Sequence, residues 1–132
     1  MNIFVQIHPI SGHHLPQSFE SLAETLVNIP GMFFEMDGSF VWVDHDVKPT
    51  KQMDGMVYDR QGKLAYIEIK GACSERQWHT LCLAACGLVT QTSRDKMSSE
   101  EKNNFAAIDQ IARIHQVAEG DWTTASTIAS QL

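Results

Sequence analysis

The sequence predicts an α+β domain: a mainly antiparallel sheet of four to five strands, with a meander over 32–36, 39–44, 53–58 and 64–70 and helices near 18–29, 74–88 and 99–118. Three observations carry this. Two stretches read as hairpins with glycine-containing turns between apolar runs, Asp37-Gly38 in the first and Asp59-Arg60-Gln61-Gly62 in the second. Outside them, apolar residues recur at helical spacing behind capping residues. Finally, 132 residues, 43% apolar and 20% charged, can bury one core without disulfides or a structural metal, so 1–132 reads as a single domain.

Residues 2–7 read as a first short strand, followed by a breaker-rich loop from His8 to Pro16. Ser18 caps the first helix. Phe19, Leu22, Ala23 and Leu26 form its apolar stripe, Glu20 and Glu24 lie on the opposite face, and Pro30-Gly31 stops it. The strands 32–36 and 39–44 then pair across Asp37-Gly38 as a two-residue type I′ turn. Phe33, Phe34, Phe40, Val41, Trp42 and Val43 are apolar on both faces, which predicts strands covered on both sides.

After a polar connection over 44–52 the second hairpin begins. Ser74-Glu75-Arg76-Gln77 is a capping-box sequence opening a helix whose stripe is Trp78, Leu81, Cys82, Ala85 and Leu88. Ser98-Ser99-Glu100-Glu101 opens the last long helix, with Phe105, Ile108, Ile111, Ala112 and His115 toward the core and Gly120 at its end. The tail after Trp122 has room for one more helical turn.

The hairpin 53–70 concentrates the chemistry. A type I turn ending in left-handed Gly62 sets Asp59 opposite Lys63, and counting back sets Asp54 opposite Glu68, with Cβ atoms about 4.5–5.5 Å apart. Lys70 shares their face by alternation. Opposed carboxylates repel, so the pair asks for a basic group or a cation. Hard oxygen ligands suit Mg²⁺ or Mn²⁺, which would polarise a phosphate and acidify a bound water, with Lys70 orienting that water. The other reading of the same residues is an amphipathic hairpin with a solvated face on which Lys70 neutralises one acid.

Asp54 and Glu68-Ile69-Lys70 resemble the catalytic hairpin of the PD-(D/E)xK nuclease superfamily, an acidic residue on one strand and Glu-x-Lys on the next. The resemblance covers residues 53–70, and Met53 stands where the family pattern has proline. It implies a metal-dependent phosphodiesterase acting on nucleic acid, or a degenerate relative of one. It also implies Asp54, Glu68, Lys70 and Gln77 as catalytic residues and Asp54, Glu68 and Glu24 (or Glu20) as metal ligands. The family core requires a further parallel strand, for which 87–91 is the candidate.

The net charge of −6 argues against broad capture of a polyanion, although six of the ten basic residues (Lys48, Lys51, Arg60, Lys63, Lys70 and Arg76) flank the hairpin. His8, His13 and His14 match no defined zinc spacing, Cys82 and Cys86 read as small core residues, and no Asp or Asn lies at a spacing from His79 that forces a triad. No glycine-rich phosphate loop is present. Three cysteines, Cys73, Cys82 and Cys86, without a C-x-x-C pair predict a reducing, cytoplasmic home. No apolar run approaches the ~18 residues of a membrane span. The second function class is therefore a small acidic, non-catalytic protein that works by self-association, as a dimer, or by holding a protein partner.

Overall fold

The computed structural model describes residues 2–88 and 105–132. They form an α+β fold with one seven-stranded antiparallel sheet in the order β2-β3-β4-β5-β1-β6-β7. The strands are β1 (Ile3–Pro9), β2 (Met32–Phe34), β3 (Ser39–Asp44), β4 (Lys51–Arg60), β5 (Lys63–Gly71), β6 (Ala112–Gln116) and β7 (Asp121–Thr123). The helices are α1 (Phe19–Val27), α2 (Glu75–Ala85), α3 (Phe105–Ile111) and α4 (Ala125–Gln131).

Strand alternation sorts the sheet into two unlike faces. Ile3, Val5, Ile7, Phe40, Trp42, Met53, Val57, Ile67, Ile69 and Ile114 point to one face and join a single buried core with Leu22, Leu26, Trp78, Leu81, Ile108 and Ile128 of the helices. The other face carries Phe4, Gln6, His8, Val41, Asp54, Met56, Tyr58, Tyr66, Glu68, Lys70, Arg113, His115 and Trp122, none of them buried. The expectation that the first hairpin is covered on both sides is therefore corrected: Phe33, on the uncovered face, is 67% exposed.

The meander β2-β3-β4-β5 matches the sequence reading, but the sheet has seven strands where four to five were predicted. Of the additional strands, β6 comes from the region assigned to a helix over 99–118 and β7 from the residues just beyond it. Of that span, 99–104 and the Ser98 cap lie outside the described residues, as do 89–91 of the candidate parallel strand. The helix α3 ends at Ile111, and Ala112-Arg113-Ile114-His115-Gln116 runs straight on as β6, paired with β1. The segment has period-2 alternation nested inside a helical one, and the open edge of β1 decides between them. His115, expected in the core, consequently lies on the uncovered face.

The helix α2 is the centre of the helical layer. Every residue from Gln77 to Ala85 is buried, because the sheet lies on one side and α1, α3 and α4 on the others. Its capping box is formed as predicted, with Ser74 Oγ accepting from Gln77 N at 3.1 Å and Gln77 Oε1 accepting from Ser74 N at 3.0 Å. Trp78 Nε1 donates to Ala125 O at 2.9 Å and ties α2 to α4, where Thr124 supplies the N-cap. No helix among the described residues is long and apolar enough to cross a membrane.

Candidate functional site

The two hairpin turns are interchanged relative to expectation. Between β4 and β5 only Gln61 and Gly62 form the loop, both at positive φ (56° and 81°), so Arg60 faces Lys63. The register then slips once more between Tyr58 and Asp59, where Ala65 on β5 is the extra residue of a bulge. Between β2 and β3, in contrast, Glu35 N donates to Ser39 O at 2.9 Å around the three residues Met36-Asp37-Gly38, in place of the two-residue turn. Asp37 Oδ1 accepts from Ser39 N at 2.9 Å and from its hydroxyl at 2.6 Å, holding that loop closed.

The shifted register changes the proposed acid pair. Asp54 stands opposite Lys70, and Glu68 stands opposite Met56. The three polar side chains do share one face, as expected, but Asp54 and Glu68 are diagonal neighbours, positions about 7–8 Å apart in a sheet, and not directly opposed. Glu68 Oε1 accepts from Gln6 Nε2 at 2.9 Å, Gln6 Oε1 meets His8 Nε2 at 2.8 Å, and the Lys70 ammonium lies 4.7 Å from the centroid of the Phe4 ring. Gln52 Nε2 reaches Asp54 Oδ1 at 3.4 Å. Asp54 and Glu68 therefore do not form the directly opposed pair on which the Mg²⁺ or Mn²⁺ reading was built, and no group of three or more His, Cys, Asp or Glu side chains converges among the described residues.

Gln77 and Glu24 do not join the hairpin residues. Gln77 is 2% exposed under the sheet, where its Nε2 reaches Trp42 O at 3.5 Å and its Oε1 closes the capping box. Glu24 and Glu20 are exposed on α1, and the Glu24 carbonyl accepts from Asn28 Nδ2 at 2.9 Å. Both helices belong to the layer on the other side of the sheet from Asp54, Glu68 and Lys70. The sheet itself stands between the two halves of the implied site.

What the uncovered face does carry is a row of rings. Tyr58 stacks on Tyr66 at 4.4 Å between centroids, and Tyr66 on His8 at 4.8 Å, across three adjacent strands. Trp122 meets His8 edge-on at 5.2 Å and His115 at 4.9 Å, and the Arg113 guanidinium lies 3.9 Å from the centroid of the Trp122 ring. Partial burial holds the His8 pKa below 6.5, with His115 and Arg113 adding to the effect. Burial, with Tyr58 and Glu68 adding to it, raises the Tyr66 phenol above 10.0. The composition of this row was present in the sequence, but its continuity depends on β1 lying between β5 and β6.

A cleft of about 510 Å³ opens on the helical side, between the end of α1, the end of β3 and the first turns of α2. Asp44 at its wall accepts from Ser74 Oγ at 2.9 Å and from Asp46 N at 3.0 Å. The cysteines lie apart from both surfaces. Burial pushes the Cys73 thiol up to about 11 and Cys86 up to about 12, and raises buried Cys82 well above 9.0, so all three are kept as thiols. Against family models, curated proteins and solved structures, the chain finds no match.

Proposed function

We propose that the protein is a non-catalytic α+β module that works by self-association, with the uncovered sheet face as the interface between two copies. The observation that carries this reading is the row Tyr58-Tyr66-His8-Trp122 crossing a sheet face that no helix among the described residues packs against. Seven strands about 4.8 Å apart, each contributing some six residues at about 3.4 Å, present a face of roughly 600 Å² before side-chain relief. A stable interface needs about 800 Å² per partner, so the face is of the right order.

Its charges favour a copy of itself. Lys70 and Arg113 share the face with Asp54 and Glu68, a mixed pattern that becomes complementary across a two-fold axis. Edge-to-edge pairing is the less suitable route, because β2 and β7 at the sheet edges are three residues each. Hydrolysis of nucleic acid is the weaker reading, since it requires the two carboxylates to share an ion that their register does not favour.

Light scattering across a dilution series tests the proposal, with Met56→Lys at the middle of the face as the comparison. The expected result is a dimer for the native chain and a monomer with unchanged circular dichroism for the variant. A native chain that stays monomeric at every concentration, or a variant that dimerises equally well, removes the proposal.

A further inference from the structure

We infer that the cleft between α1, β3 and α2 is a binding site for a small zwitterion of the apolar α-amino-acid type. Its volume of about 510 Å³ lies within the roughly 300–1,000 Å³ of small-molecule sites. Ile29, Pro30 and Trp42 supply apolar wall, while Arg76, Thr80 and Asp46 supply the polar groups. A pocket with apolar walls and a few convergent polar groups is what a small ligand needs for both burial and orientation.

Thr80 is the informative residue. It is 7% exposed and lines the cleft, yet its hydroxyl makes no hydrogen bond among the described residues. A threonine inside a helix ordinarily returns its hydroxyl to the carbonyl four residues back, as Thr25 does in α1 with Ser21 O at 3.1 Å. The Thr80 hydroxyl is not among the buried unsatisfied groups, so it opens to the cleft and can bond a ligand oxygen.

Arg76 lies one helical turn before Thr80, on the same side of α2. Its guanidinium has no ion pair or hydrogen bond among the described residues, so its donor fork is open to a carboxylate. Asp44 is committed to Ser74 and to the Asp46 backbone, which leaves the exposed Asp46 carboxylate for an ammonium. One cation and two acids line the cleft, so a dianion such as phosphate is disfavoured. A molecule carrying one carboxylate and one ammonium matches this pair of lining charges.

The test titrates the full chain with L-leucine, 4-methylpentanoate and 3-methylbutylamine, which share one apolar group and differ in their charged ends, while NMR follows the Thr80 amide and the Trp42 indole. Saturable leucine binding is expected, with each analogue at least about ten-fold weaker, the ratio that one lost charge-assisted contact gives. Arg76→Gln should weaken leucine and 4-methylpentanoate but leave the amine unchanged, and Asp46→Asn should weaken leucine and the amine but leave the acid unchanged. Thr80→Val should weaken leucine without lowering the thermal midpoint. The inference is overturned if leucine produces no saturable shift at the cleft, or if Arg76→Gln binds leucine as the native chain does.

Discussion

Asp54 faces Lys70 across the β4-β5 ladder, so the residue directly opposite the first carboxylate is the lysine and not Glu68. Opposite charges across a solvated ladder contribute under about 1 kcal/mol, and the Lys70 ammonium lies over the Phe4 ring, with no ion pair to Asp54 among the described residues. Asp54→Ala should accordingly leave Mn²⁺ titration heats unchanged from the native chain. A saturable heat in the native chain that disappears in Asp54→Ala would restore the metal reading. Lys70→Glu should lower stability by more than Lys70→Gln, because it sets a carboxylate directly against Asp54 with Glu68 alongside.

Gly55 and Phe40 are cross-strand partners, and the Phe40 ring lies over the glycine so closely that a Cβ would overlap it. Gly55→Ala is expected to cost about 1–3 kcal/mol in urea denaturation, the range for overpacking a filled site. Phe40→Leu in the Gly55→Ala background should recover part of that loss. If the double variant is destabilised by the sum of the two single changes, the contact is not the cause.

His8 sets an acid-side limit. Its folded pKa is held below 6.5 by partial burial, so the unfolded chain binds the proton more readily than the folded one. The stabilisation is therefore complete above 6.5, is lost progressively as pH falls below 6.5, and levels off below the folded pKa. His8→Gln should flatten the stability profile in that window. An unchanged profile in the variant would assign the acid sensitivity to other groups.

The three thiols should be silent in the folded state. Cys73, Cys82 and Cys86 are buried and held as thiols by that burial, so an aromatic disulfide reagent near pH 8 should react no faster than the chain unfolds. Adding urea below the transition should raise the rate in step with the unfolded fraction. Immediate reaction of one thiol in the native protein would reveal an accessible nucleophile.

The reading of the hairpins separates two kinds of information. Alternation put Asp54, Glu68 and Lys70 on one face, and that assignment survives because the true register differs from the expected one by two residues, an even number that leaves every side chain on its own face. The pairing itself failed, since both Asp37-Gly38 and Gln61-Gly62 carry turn chemistry compatible with more than one loop length. The bulge at Ala65 has no local signal. Gln77 was correctly placed in a capping box, and that role, under the sheet, is what separates it from the hairpin residues.

Residue type and spacing by themselves determined the caps at Ser18 and Ser74, the core stripe of α1, the order of the β2-β5 meander and which side chains share a face, because each depends on contacts within a few residues or on the period of the backbone. Tertiary structure alone decided that 112–116 is a strand, that β1 lies between β5 and β6, that α2 is buried on all sides, and that Asp54 meets Lys70. Those outcomes rest on hydrogen bonds and burial supplied by segments tens of residues away. A strand edge left open by β1, or a helical layer filled around Trp78, outweighs local preferences of a few tenths of a kcal/mol per residue.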